Sequence, residues 1–176
     1  MGRDKMRLKI GARTLLQHVL AKARATRLQV RVIRNDILPG CGPLGGLYTA
    51  LEQSKFDAVL ALACDMPFVT RRLLKDLIEE FGEKPIFVMN DGRPGFPLIL
   101  PKSALSVVKR NLKQKKLALH ALAKSLRAQL LEMDVDAHEL ANVNTPQEFR
   151  WATKVWKAKH AIRGKVVVSH KFMTAR

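Results

Sequence analysis

The chain has 176 residues, a length that fits one domain with one continuous core. Apolar residues make up 47% of it, but no apolar run approaches the roughly 18 residues of a membrane-spanning helix, and the charged N-terminus lacks the apolar segment of a signal peptide. The sequence therefore excludes a membrane-spanning protein. The formal net charge is +17, which indicates a basic globular protein, and we expect it in the cytoplasm.

Apolar periodicity and turn residues predict helices and strands that alternate along the chain. This order is typical of an α/β fold with a mostly parallel sheet, in which the strand over 96–100 pairs back antiparallel. In chain order the prediction is helix 14–27, strand 30–34, helix 47–53, strand 58–64, helix 71–81, strands 85–89 and 96–100, helices 103–113 and 117–128, strand 130–135, a helix from Pro146 and an added strand over 165–169.

A glycine-rich turn follows Asp36, with four glycines in seven residues. Glycine allows positive φ and lets the backbone approach a ligand closely. Because a helix is predicted directly after the turn, its N-terminal N–H groups would face the ligand. The four glycines are Gly40, Gly42, Gly45 and Gly46.

The apolar run Ala58–Cys64 predicts a central strand that is covered on both faces, and Asp65 follows it directly. Ligands in open α/β sheets bind just beyond the carboxyl ends of the strands. Asp65 is therefore a candidate Mg²⁺ ligand. The alternative is that Asp65 is a turn residue or a helix cap, as many aspartates at strand ends are.

The start of the last predicted helix has the residues of a capping box. Thr145 stands at the N-cap, Pro146 at the first helical position and Glu148 at the third.

Basic residues are concentrated in two stretches, because residues 101–129 and 149–176 each carry eight and no acidic residue. Such stretches suit either a polyanion or a solvated basic surface. Aromatic residues are only 6% of the chain and do not interleave with the basic ones, so nucleic-acid binding is disfavoured. The two cysteines have no metal-ligand spacing and indicate reduced thiols.

Three motifs in this order resemble those of the molybdenum cofactor guanylyltransferases, the MobA-like nucleotidyltransferases. They are Asp36-x-x-Pro-Gly-x-Gly-Pro-Leu-Gly-Gly46, Cys64-Asp-Met-Pro-Phe68 and Asn142-Val-Asn-Thr-Pro146, and Met1-Gly-Arg-Asp-Lys5 is similar to the end of the family's N-terminal signature. The resemblance implies a Rossmann-like three-layer α/β sandwich of the nucleotide-diphospho-sugar transferase type over residues 1–152, followed by a basic helix end and tail over 153–176.

The resemblance also implies roles for individual residues. Lys5 would contact the nucleotide phosphates and act in catalysis together with Asp65, which would hold Mg²⁺. Asn142 and Asn144 would lie near the second substrate. The guanine pocket would be lined by Gly42, Pro43 and Leu44. Asp36, which matches an acidic family residue, and Gly45 would also belong to the binding site. Each residue also has a structural explanation, such as a surface lysine, an Asx turn or a loop hydrogen bond.

The implied reaction transfers GMP from GTP to molybdenum-molybdopterin cofactor and releases pyrophosphate. The implied partners are these two substrates, with transient contacts to proteins that mature molybdoenzymes and none to a membrane. The alternatives are an inactive truncated paralogue, a related nucleotidyltransferase with another base or acceptor, and a basic domain that binds nucleic acid or a partner.

The chain differs from the family at two places. Its sequence begins after the family's first strand and glycine-rich phosphate loop, and it has only about two residues to spare where the family has a second strand. We therefore expect a sheet that lacks the first strand and the second, with unpaired strand edges beside the gap.

Overall fold

The computed structural model describes residues 8–161 of the chain. Lys5 and the predicted strand over 165–169 lie outside these residues. The strands are β1 Lys9–Ile10, β2 Arg13–Thr14, β3 Ala58–Ala61, β4 Ile86–Asn90, β5 Arg93–Pro101 and β6 Gln129–Leu131. The helices are α1 Leu15–Ala25, α2 Gly42–Gln53, α3 Arg71–Glu79, α4 Leu105–Lys113, α5 Leu119–Leu126 and α6 Pro146–Ala161, and short 3₁₀ turns cover Lys102–Ala104 and Ala137–Leu140.

Four strands form the main sheet in the order β3-β5-β4-β6. β5 is antiparallel to both of its neighbours, whereas β4 and β6 are parallel. It follows that β3, β4 and β6 run in one direction and that β5 alone runs against them. The predicted antiparallel return over 96–100 is confirmed, although β5 is longer than predicted.

Helices cover both faces of this sheet. Val59 and Ala61 pack against a core that includes residues of α2, α4 and α5, whereas Ala58 and Leu60 pack against one built largely from α3. Alternate residues of a strand point to opposite faces, which explains why an unbroken apolar run suits β3. The predicted three-layer α/β architecture is confirmed.

A third apolar cluster joins the two ends of the described chain. Ile10 and Leu15 near the start pack with Phe68, Val143 and Ala152. Ala152 belongs to α6, which runs on to Ala161. This cluster holds α6 against the β1–β2 hairpin, an element that periodicity did not predict. No helix within residues 8–161 is long and apolar enough to cross a membrane.

The helices predicted at 14–27, 71–81, 103–113 and 117–128 are present with shorter bounds. Thr14 and Thr70 cap α1 and α3 by accepting hydrogen bonds from Gln17 N and Leu73 N. α2 begins at Gly42, earlier than predicted, because the glycines that suggested a loop form its first turn.

Two strand predictions are wrong. Residues 30–34 form no strand, and the predicted strand over 58–64 ends at Ala61. In addition, β3 is an edge rather than a central strand among the described residues, because it pairs only with β5. For residues 30–34 the physical reason is that a strand needs a hydrogen-bonded neighbour, and no described strand pairs with this segment.

The orientation of α2 is fixed at its C-terminal end by Lys102, which follows β5. The ammonium group donates hydrogen bonds to the carbonyl oxygens of Leu51, Ser54 and Glu52, at 2.9 Å for Ser54 and 3.4 Å for Glu52. A cation suits the negative end of a helix. Lys102 lies beside the start of β3. The N-terminus of α2 therefore lies near the other end of that strand, where β3 reaches its carboxyl end.

Replacing Lys102 with methionine should destabilise the protein by about 1–3 kcal/mol, since several partly buried carbonyl groups lose a charged donor. Urea denaturation measures this change. Lys113→Met, at an exposed position on α4, is the matched control and should have little effect. Equal stability of the two variants would show that Lys102 does not secure α2.

Candidate functional site

The carboxyl ends of β3, β4 and β6 share one edge of the sheet, because these strands run in the same direction. Ala61 and Phe87 both pair with Leu98 and are therefore aligned across β5. Asp65 and Asp91 each follow this row by four residues. The topology thus brings two carboxylates to the same edge of the sheet, with β5 between the strands that carry them.

A backbone hydrogen bond brings the asparagine motif to Asp65. Val143 N donates to Asp65 O at 2.8 Å, and the side chain of Val143 is fully buried. Successive side chains of an extended segment point in opposite directions. Asn142 and Asn144 are both exposed, on the side opposite to that of Val143. The structure therefore brings the backbone of the asparagine motif to that of Asp65.

Two further hydrogen bonds hold the segment before Val143 across this edge. Thr70 Oγ1 donates to Glu139 Oε2 at 2.5 Å, and Glu139 is buried. Asn90 Nδ2 donates to Leu140 O at 3.0 Å. These contacts connect residues 139–143 to the segments that follow β3 and β4, so these segments are held together at one edge of the sheet.

The predicted capping box of α6 fixes the backbone after Val143. Thr145 Oγ1 accepts from Glu148 N at 3.1 Å, while Glu148 Oε2 accepts from Thr145 N at 2.8 Å and from Asn144 N at 2.6 Å. The predicted cap is confirmed, and it extends one residue further to hold Asn144.

An aromatic cluster lies beside these residues. Phe68, three residues after Asp65, makes edge contacts with His138 and Trp151, each with 5.9 Å between ring centroids. Trp151 remains 40% exposed. The loop after β3 therefore packs directly on the first part of α6.

The N-terminus of α2 reaches the same edge with free donors. Gly42 has φ +55°, which glycine adopts without strain. The side chain of Cys41, at the N-cap, makes no capping hydrogen bond to the helix. The first N–H groups of a helix lack intrahelical acceptors, and Pro43 has no N–H group, so Gly42 and Leu44 present theirs. Leu44 is fully buried in the core, so only its backbone is available to a ligand.

Asp36 lies over the first turn of α2. A Cβ atom at Gly45 would lie 2.8 Å from Asp36 Oδ2 and 2.9 Å from Leu38 O. Thr49 holds this approach, since its hydroxyl accepts from Ile37 N at 2.9 Å and donates to Gly45 O at 2.9 Å. Gly45 thus serves close packing of the residues 36–38 against α2.

The chemistry of the oxygen donors suits a magnesium ion. The edge offers the carboxylates of Asp65 and Asp91 and the amide oxygens of the asparagines, and Mg²⁺ prefers such ligands. No group of three His, Cys, Asp or Glu side chains within residues 8–161 forms a complete metal cage. This agrees with the usual mode of Mg²⁺ binding, in which one or two carboxylates act together with phosphates and water.

Sequence reasoning missed Asn90 and Asp91. The link between the strands predicted over 85–89 and 96–100 is the two-residue turn of Asp91 and Gly92, which connects β4 to β5. Asn90 and Asp91 stand at the end of a strand that runs parallel to β3. That relation is known only when the strand order of the sheet is known.

The family described as MobA-like NTP transferase domain matches residues 1–133. A probable molybdenum cofactor guanylyltransferase of Flavobacterium johnsoniae is 32% identical over 117 residues, which cover 64% of this chain and 62% of that protein. Another, of Methanothermobacter thermautotrophicus, is 30% identical over 131 residues, which cover 69% and 66%. The chain thus spans just under two thirds of the length of these relatives.

Solved structures agree with the fold. The molybdopterin-guanine dinucleotide biosynthesis protein A of Archaeoglobus fulgidus superposes with a TM-score of 0.68 and 20% identity, over 89% of this chain and 92% of that one. A Mycobacterium tuberculosis protein in complex with manganese has a TM-score of 0.62 and 18% identity, over 87% and 93%. These similarities establish the nucleotide-diphospho-sugar transferase type of α/β fold, here with a mixed sheet.

Gly45→Ala should destabilise the protein by about 1–3 kcal/mol, because its methyl group overlaps Asp36 and the backbone of Leu38. Gly46→Ala is the matched control, since its nearest neighbour, Asp36 Oδ1, would lie 3.6 Å away. That change should be neutral or stabilise by up to about 1 kcal/mol through helix propensity. Thermal denaturation of both variants compares them, and equal melting temperatures would contradict the close approach of Asp36.

Proposed function

Because the chain belongs to the MobA-like NTP transferase domain family, we propose that it is a molybdenum cofactor guanylyltransferase. In the reaction, a terminal phosphate oxygen of molybdenum-molybdopterin attacks the α-phosphorus of GTP. The bond from that phosphorus to the oxygen bridging the β-phosphorus breaks, and pyrophosphate leaves with the bond's electrons. The products are the guanine dinucleotide cofactor and pyrophosphate.

The observation that carries the proposal is the hydrogen bond from Val143 N to Asp65 O at 2.8 Å. It joins the backbone between the two asparagines to the residue that carries the strand-end carboxylate, which supports a shared site at the edge where the N-terminus of α2 presents its N–H groups. An anion-binding helix end and a cation-binding carboxylate at one edge suit a nucleoside triphosphate with its metal ion. This combination requires no side-chain nucleophile.

The roles follow from position. The N–H groups of Gly42 and Leu44 hydrogen-bond the nucleotide, with guanine lying along Gly42, Pro43 and the backbone of Leu44. Asp36 holds the residues before α2 against that helix. Lys5, which lies outside the described residues, neutralises charge on the phosphates. Asn142 and Asn144 orient the molybdopterin substrate next to Asp65.

Asp65 holds Mg²⁺, and Asp91 is the second carboxylate at the same edge. When bound, Mg²⁺ supplies charge neutralisation on the phosphate oxygens, which favours departure of pyrophosphate. The protein's own contribution is alignment of the two substrates and fixed donors for the developing charge, the usual basis of such transfers.

We place the reaction in the cytoplasm, where GTP and the cofactor precursor meet and where the thiols of Cys41 and Cys64 stay reduced. Proteins that mature molybdoenzymes would receive the product through transient contacts.

GTP with Mg²⁺ should raise the melting temperature, because a ligand that binds only the folded state stabilises it, by about 2.7 kcal/mol at 100 times its dissociation constant. Asp65→Asn should remove the part of the shift that depends on Mg²⁺. Glu79→Gln, an exposed charge change on α3, is the matched control and should retain the shift. Absence of any shift with millimolar GTP would contradict nucleotide binding at this edge.

The direct test is incubation of the full chain with GTP, Mg²⁺ and molybdenum-molybdopterin, followed by detection of pyrophosphate and of the dinucleotide cofactor. We expect Asp65→Asn to lower the rate on the order of 100-fold. CTP replaces GTP as a control for the base. Pyrophosphate formation with CTP and not GTP would assign another base, and a thermal shift without turnover would indicate a protein that binds the nucleotide but does not transfer it.

A further inference from the structure

A tight turn joins β4 to β5 at the edge of the sheet that carries Asp65. Asp91 and Gly92 have φ of +49° and +71°, and positive φ at both central residues is typical of a type I′ turn. This turn fixes the pairing of Asn90 with Arg93, the two residues that flank it. Residues directly opposite each other on antiparallel strands have their side chains on the same face. Arg93 and Asn90 therefore share one face of the sheet.

The segment that carries the asparagine motif runs along this face. Asn90 Nδ2 donates to Leu140 O at 3.0 Å, and Val143 N donates to Asp65 O at 2.8 Å. The chain from Leu140 to Val143 thus passes from the end of β4 to the loop after β3. In the sheet order β3-β5-β4, the first residue of β5 lies between these two points. That residue is Arg93.

The dimensions of this crossing agree with a direct route. Two inter-strand spacings separate β3 from β4, which is about 9.6 Å. The backbone is extended at Ala141, and three residues of extended chain cover about 10 Å. The chain therefore has just the length needed to pass over the start of β5. The geometry brings the backbone at Asn142 and the first residue of β5 together.

The side chain of Arg93 is available to a ligand. It is exposed, and within residues 8–161 it has no ion-pair or hydrogen-bond partner. A guanidinium group presents its N–H donors in one plane and binds a phosphate group through two parallel hydrogen bonds. The carboxylates of Asp65 and Asp91 at the same edge repel an approaching phosphate. A cation anchored between the strands that carry them offsets this repulsion.

We propose that Arg93 binds the terminal phosphate of the acceptor substrate. This inference rests on the proposed function, in which the nucleotide lies at the N-terminus of α2 and the acceptor lies at the asparagine segment. Because Arg93 lies beside that segment, it is assigned to the acceptor. Two phosphate oxygens bind the guanidinium group, and the third remains free to attack the α-phosphorus of GTP.

Steady-state kinetics of the full chain test the proposal with Arg93→Met. The KM for molybdenum-molybdopterin should rise about tenfold or more, because a charge-assisted pair of hydrogen bonds is lost. The KM for GTP, and the melting-temperature shift with GTP and Mg²⁺, should stay unchanged. Arg93→Lys retains the charge but not the paired donors, so its KM for the acceptor should be intermediate. Arg110→Met, at an exposed position on α4, removes the same charge elsewhere and is the matched control.

Two kinetic results would overturn the proposal. One is an acceptor KM in Arg93→Met that equals the value for Arg110→Met. The other is a rise in the KM for GTP alone, since Arg93 would then bind a phosphate of the nucleotide.

A binding measurement separates this proposal from the proposed reaction. NMR follows the Nε–Hε signal of Arg93 in the full chain during titration with inorganic phosphate, with the signal of Arg110 as the control. Phosphate should shift the Arg93 signal, and sodium chloride at the same ionic strength should not. If the chain shows no turnover, the proposed reaction is wrong, but a phosphate-specific shift still supports a phosphate site at Arg93. Absence of that shift would overturn the site with or without turnover.

Discussion

The hydrogen bond between Val143 N and Asp65 O joins two parts of the chain that are 78 residues apart, and the site depends on it. Together with the hydrogen bonds of Glu139 and Leu140, it fixes Asn142 and Asn144 relative to the sheet. The buried side chain of Val143 secures the bond on one side, and the capping box at Glu148 secures it on the other. Local helix capping thus determines where a distant carboxylate finds its neighbours.

Lys102 supports this edge from a distance. By binding the carbonyl groups at the end of α2, it sets that helix antiparallel to β3. The N-terminus of α2, with Asp36 packed on its first turn, is then directed to the edge that carries Asp65. The two ends of α2 therefore have different roles. The C-terminal end accepts hydrogen bonds from Lys102, and the N-terminal end offers N–H groups to a ligand.

Much of the fold could be predicted from sequence, because capped helices and apolar runs are local signals. The family and the α/β class are confirmed, as is the cap at Thr145. The strand over 30–34 and the central position of β3 were wrong, since strands depend on neighbours that local periodicity does not contain. Asp91 was missed for the same reason: its meaning depends on strand order. The ligand roles of Asp36, Asp65 and Asn142 stay predictions.

The contact of Phe68 with Trp151 gives the protein a built-in optical reporter. The indole is 40% exposed and touches the loop that begins at Asp65, so its emission depends on the polarity and order of that loop. Trp156 stacks on His160 with 4.0 Å between ring centroids and packs against the apolar cluster that contains Phe68 and Val143. Both tryptophans thus contact the packing around the loop that follows Asp65, and fluorescence of the unlabelled chain can report events at the site.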